Sequence, residues 1–144
     1  NLSAIITQNN EYHKNIGKFI QENQLHGINL LGFTAFESAY TKGDVWLQEL
    51  LQYLEGNIKI IEDIFKNSPI GFTPPEATYL AWLNFKKLNL SDSVIRSKLI
   101  SAGVGLSDGI SFGKGGEGYM RLNFACPQSI LEEGIYRIKK AITL

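Results

Sequence analysis

One cysteine (Cys126), one methionine (Met120) and four prolines are all that this 144-residue sequence holds of those residue types. A lone cysteine excludes the disulfide framework that staples many small secreted domains. Charge of one sign is missing too, because fourteen Lys and Arg balance fourteen Asp and Glu. The lysines are scattered without a run, and a nucleic-acid or anionic-membrane surface needs a concentrated basic footprint. No apolar stretch approaches the roughly 20 residues that cross a bilayer. No charged-then-apolar leader opens the chain. A cytoplasmic protein without a nucleic-acid or membrane partner is the expectation.

What is present is the composition of a globular protein, 44% apolar and 19% charged. A chain of this length buries about 68% of its unfolded surface if it folds alone. The opening Asn1-Leu2-Ser3, with Met120 the sole methionine, is read as something other than a translation start. Removal of a secretory leader would leave the same mark, but the lone cysteine favours the C-terminal part of a larger protein.

Ser3–Thr7 reads as a short buried strand, after which Gln8-Asn9-Asn10 offers a helix cap. Tyr12, Ile16, Phe19 and Ile20 then recur at helical spacing, predicting an amphipathic helix from Glu11 to about Gln24 that carries His13. Thr34 and Glu37 have the spacing of a capping box for a short helix ending near Lys42 and Gly43. Asp44 caps a longer one, in which Leu47, Leu50, Leu51, Leu54, Ile58, Ile61 and Phe65 step by three and four. Asn67-Ser68-Pro69 stops it.

The aromatic-rich run Ala77–Phe85 predicts a strand buried on both faces. Ser91 or Asp92 begins another helix with Ile95, Leu99 and Ala102 inward, and Gly103 suits the left-handed position after it. Val104–Leu106 reads as a short strand. Gly118–Ala125 alternates, with Met120, Leu122 and Phe124 on one face and Tyr119, Arg121 and Asn123 on the other. Pro127 fits the first turn of a last helix lined by Leu131, Ile135, Ile138 and Ile142. The pattern predicts an α/β sandwich built on a small mixed sheet. The long connections, near Leu25–Gly32 and Ser107–Gly116, are where function would sit.

Four features invite a chemical reading. The stretch Phe112–Gly118 is glycine-rich, but it leads into a strand and lacks the Lys-Ser or Lys-Thr pair of a phosphate loop, which favours a hairpin or site-edge loop. Cys126 precedes a helix start, which can activate a thiol, yet no histidine accompanies it, and a buried or capping role is favoured. His13 and His26 lack ligand-spaced partners for a metal. Arg96 and Arg137 fall on polar helix faces. Arg121 sits mid-strand, where its planar fork suits a carboxylate. Two readings of it stay open: a structural ion pair with a carboxylate such as Glu117, or a clamp for an anionic ligand.

Two segments carry a resemblance. Pro75-Glu76-Ala77-Thr78-Tyr79-Leu80-Ala81-Trp82-Leu83 and Gly116-Glu117-Gly118-Tyr119-Met120-Arg121-Leu122-Asn123-Phe124-Ala125-Cys126-Pro127 closely resemble the C-terminal region of cystathionine β-lyases of the MalY/PatB type. These are fold-type I, aminotransferase-like enzymes that use pyridoxal 5′-phosphate. Ala39-Tyr40, Gly43, Trp46-Leu47, Leu50, Tyr53-Leu54 and Asn57 look like the family's approach to its long domain-linking helix. The resemblance covers nearly the whole chain and is weakest from Gln8 to Leu31.

The resemblance implies an α/β (α+β) small domain over 43–144, preceded over 1–42 by a remnant of the large cofactor-binding domain. It implies that Arg121 holds the substrate's α-carboxylate, with Tyr119 and Asn123 beside it. The activity implied is β-elimination giving a thiol, pyruvate and ammonia. An aminotransferase of the same fold and a non-enzymatic interaction module are the alternatives. The cofactor's lysine lies, by the resemblance, upstream of the segment that Ser3–Thr7 matches. No catalytic, cofactor-binding or metal-binding residue is therefore expected among the 144, and the fragment alone is expected to be inactive. Exposed apolar surface implies a homo-oligomer.

Overall fold

The computed structural model describes residues 2–25, 27 and 29–143. It divides into two compact units, Asn1–Glu49 and Leu50–Leu144.

The first unit begins without regular structure. Residues 2–7 form no strand, contrary to the reading of Ser3–Thr7, and Ile6 is 93% exposed. Apolar, β-prone residues become a strand only when a neighbour completes their hydrogen-bond ladder. Helix α1 (Asn10–Glu22) starts where the sequence indicated, because Asn9 is extended and its Oδ1 accepts the N–H groups of Glu11 at 2.8 Å and Tyr12 at 3.2 Å. Helix α2 (Leu30–Lys42) starts four residues before the expected capping threonine. Asn29 caps it, its Oδ1 accepting the Gly32 N–H at 2.6 Å. Thr34 lies inside the helix and donates back to the Leu30 carbonyl at 3.0 Å, so Thr34 and Glu37 form no capping box. None of the described side chains of α1 or α2 is buried.

Helix α3 (Asp44–Phe65) begins in the first unit and ends in the second. Its periodic apolar stripe is buried only in the later turns, at Leu54, Ile61 and Phe65. In the second unit a four-stranded sheet has the order β1-β2-β4-β3, with β1 Gly71–Thr73, β2 Leu80–Asn84, β3 Ser107–Asp108 and β4 Tyr119–Asn123. Every pairing is antiparallel, where the sequence suggested a mixed sheet. Strand β1 was not anticipated, and β3 lies just beyond the expected Val104–Leu106 because its register is set by pairing Ser107 with Arg121.

Helices α4 (Asp92–Ser101) and α5 (Gln128–Thr143) complete the core. Ala81, Leu83, Met120 and Leu122 form the inner face of the sheet and share one apolar cluster with Ile61, Ile95, Leu99, Leu131, Ile135 and Ile138. Gly103 takes the left-handed conformation, φ +75°, after α4. The expectation that Ala77–Phe85 is buried on both faces fails, because β2 alternates and Trp82 is 38% exposed. Helices cover one face of this sheet, and the other presents Trp82, Tyr119 and Arg121.

Candidate functional site: the open face of the sheet

Period-two alternation puts Arg121 opposite Trp82 on one side and Ser107 on the other, all directed away from the core. Directly opposed side chains on one face of an antiparallel pair are close enough to interact. The Arg121 guanidinium is fixed by two neighbours. Its Nη2 donates to Ser107 Oγ at 3.4 Å, a long bond, and its Cζ lies 4.4 Å from the centroid of the Phe112 ring. A cation over the ring face is a favourable arrangement.

Arg121 has no carboxylate within ion-pair distance among the described residues. Glu117, the sequence candidate for that pairing, instead accepts the N–H of Gly115 at 2.9 Å through Oε2. The other two arginines are paired as their helix positions suggested. Arg96 meets Asp108 at 3.0 Å and Arg137 meets Glu133 at 2.7 Å. Arg121 is thus the arginine whose charge the described side chains leave unmatched.

Tyr119 and Asn123 share the face of Arg121, with different local roles. Tyr119 OH accepts from Asn84 Nδ2 at 3.3 Å, and the Lys86 ammonium sits 4.6 Å from its ring centroid. Trp82 touches Phe112 and Tyr119 edge-on, with centroids 5.5 and 6.0 Å apart. Asn123 turns its Oδ1 to the N–H of Ala125 at 2.9 Å and shapes its own backbone turn. The sequence reading missed Trp82, Phe112 and Ser107 as site neighbours. Period-two alternation counted from Leu83 would have put Trp82 on the open face; nothing local marked Phe112 or Ser107.

The glycine-rich stretch closes against its own preceding turn. A 3-10 turn over Gly109–Phe112 precedes it, and a Cβ on Gly109 or Gly116 would collide with the backbone of the other. These glycines serve a close backbone approach, and the stretch leads into β4 with no helix after it. It is no phosphate cradle of the helix-terminus kind. Nor do the described residues include a group of three or more metal-ligating side chains. His13 lies on exposed α1, and His26 falls outside the described residues.

Cys126 is free and half-buried, with its thiol pushed above the ordinary range by burial. Its carbonyl and that of Phe124 accept hydrogen bonds from the buried Asn57 Nδ2 at 3.1 and 2.8 Å. The segment is structural, as the sequence favoured.

A small antiparallel sheet with helices on one face matches the C-terminal part of fold-type I pyridoxal-phosphate enzymes. The chain is 38% identical over 144 residues to cystathionine β-lyase PatB of Bacillus subtilis, covering 98% of this chain and 37% of that protein. Protein MalY of Escherichia coli is 36% identical over 121 residues, covering 82% of this chain and 31% of its own. Among solved structures, cystalysin of Treponema denticola, which contains pyridoxal 5′-phosphate, superposes with a TM-score of 0.84 at 28% identity, over 96% of this chain and 36% of that one. Diaminopimelate aminotransferases also match, at 30% identity or below. No family model matches the chain. The chain matches the C-terminal part of PatB and MalY and spans about a third of the length of each.

Proposed function

We propose that this chain is the substrate-carboxylate arm of a pyridoxal-phosphate-dependent carbon–sulfur β-lyase. In that reaction an S-substituted cysteine and water give a thiol, pyruvate and ammonia. The observation that carries the reading is the unmatched guanidinium of Arg121, set between Ser107 and Phe112 on the open face of the sheet. A planar fork so placed grips a carboxylate through two charge-assisted hydrogen bonds. Gripping the α-carboxylate fixes the direction of the Cα–H bond, which is the positioning the reaction needs. Tyr119 braces the adjoining wall. Asn123 borders the same face.

The domain assignment is part of the proposal, with 43–144 as the small domain and 1–42 as a remnant of the large one. Following the resemblance, the cofactor's lysine and phosphate contacts are assigned to the part of the relatives that this chain does not span. The isolated 144 residues are then inactive. The diaminopimelate aminotransferases among the matches favour amino-group transfer as the second reading. A home in the cytoplasm is in keeping with the single free thiol. A homo-oligomer is in keeping with the exposed Leu31, Tyr40 and Trp46. No helix among the described residues is long and apolar enough to cross a membrane.

The test is to supply pyridoxal phosphate and cystathionine to the intact protein and to the 144-residue chain and to measure pyruvate. The intact protein should release it and the chain should not. Pyruvate from the chain alone would overturn the assignment of the cofactor lysine. Amino-group transfer without thiol release from the intact protein would replace lyase by aminotransferase.

A further inference from the structure

Beside Arg121 the open face of the sheet carries a recess that shares Phe112 with the carboxylate clamp. It is an open cleft of ≈ 470 Å³ lined by Trp82, Phe112 and Tyr119, together with Thr73 and Lys114 of the glycine loop. The rings brace one another. Trp82 meets Phe112 edge-on at 5.5 Å and Tyr119 edge-on at 6.0 Å. Two of them have a further anchor, Phe112 against Arg121 at 4.4 Å and Tyr119 against Lys86 at 4.6 Å. Mutual ring contacts restrict the rotamers of such a wall, and pre-ordering lowers the entropic cost of binding.

Lys114 is the cationic residue among those that line the cleft. No described carboxylate lies within ion-pair distance of its ammonium. Its sequence neighbour Glu117 is engaged with the N–H of Gly115 at 2.9 Å. An aromatic wall accepts methylene groups and thioether sulfur, which both make favourable contacts with rings. An unmatched ammonium on the lining of the same cleft adds attraction for an anionic tip.

The geometry points to a side-chain subsite: the cleft receives the side chain of the amino acid whose α-carboxylate Arg121 holds, and Lys114 selects side chains that end in a carboxylate. This inference rests on the proposed role of Arg121. Its ligand class is an apolar or thioether stem with a distal acid. Trp82 and Phe112 contact the stem, and Lys114 pairs with the tip.

Three ligands separate the parts: L-alanine, S-propyl-L-cysteine and S-(2-carboxyethyl)-L-cysteine. Their dissociation constants are measured on the intact protein by rapid-mixing tryptophan fluorescence, before turnover accumulates. The carboxyethyl ligand should bind tighter than the propyl one. Lys114→Gln, in an exposed loop, should weaken the carboxyethyl ligand roughly fivefold and leave the other two within about twofold. The difference should shrink as salt screens the pair. An undiminished carboxyethyl preference in the Lys114→Gln variant, equal affinities in the parent, or binding of none of the three overturns the subsite. L-alanine reports on the clamp alone. If Arg121→Gln binds alanine as the parent does, the clamp reading fails, while the Lys114 comparison still reports on the cleft.

Discussion

The ring of Phe112 lies 4.4 Å from the Cζ of Arg121, so the arginine left without a carboxylate among the described residues rests on an aromatic platform built by a 3-10 turn. That turn sits between β3 and the glycine loop. Side chain, platform and loop therefore form one unit on the open face of the sheet.

Replacing Arg121 by Gln keeps the length and polarity of the side chain but removes the charged fork. Amino-acid binding to the intact protein should weaken by about 2–5 kcal/mol, as for other desolvated charge-assisted pairs. Circular dichroism should be unchanged, because no described carboxylate depends on this charge. Unaltered binding in a folded variant would rule out the clamp.

Phe112→Leu retains bulk and removes the ring face. The guanidinium should lose about 0.5–2 kcal/mol of support and become less ordered. In steady-state assays of the intact protein, KM for the amino acid should rise several-fold with a smaller change in kcat. A loss confined to kcat would point away from a positioning role.

Asn57 is fully buried in α3 and ties that helix to the end of β4 through the Phe124 and Cys126 carbonyls. Asn57→Ala leaves those two acceptors short of a donor. Each buried unsatisfied group costs about 1–3 kcal/mol. Urea unfolding should show a lower midpoint at an unchanged slope. A midpoint within error of the parent's would mean that water replaces the amide.

Gly116→Ala puts a methyl group into the backbone of Gly109. Relieving the clash should cost about 1–3 kcal/mol and open the loop beside Phe112. Amide exchange should accelerate at Gly113 and Gly116, whose N–H groups bond the carbonyls of Ile110 and Gly113. Slow exchange at both in the variant would show that the loop absorbs the methyl.

Cys126 has its thiol raised by burial. The folded state favours the neutral thiol, so stability is undiminished below the ordinary thiol value and falls as pH rises through and past it. Alkylation by iodoacetamide at neutral pH should be slower than for an unfolded control, because the thiolate is the nucleophile. Reaction as fast as in the unfolded chain would refute the shift.

Much of the second unit was legible from local rules. Period two in Tyr119–Asn123 and the three-four stepping of Leu131, Ile135 and Ile138 report which side faces an apolar neighbour, and burial agreed at Met120, Leu122 and all three helix positions. Asn9 and Gly103 were readable because a cap and a left-handed turn are chemistry of a few adjacent residues. Ser3–Thr7 was misread, because whether an apolar run becomes a strand depends on a partner strand its own residues do not specify. The Thr34 and Glu37 pair was misread because Asn29, five residues earlier, caps first.

The sequence by itself determined that Arg121 would stand on a strand face with Tyr119, since alternation is a property of the backbone. It also carried the two segments through which the chain resembles the β-lyases. Only the tertiary structure decided that Glu117 does not neutralise that arginine, that Phe112 and Ser107 hold it, and that Trp82 closes a wall beside it. Those relations join β2, β3, β4 and the turn before the glycine loop. Strand register and close backbone packing set them, and neither is encoded in the spacing of any one segment.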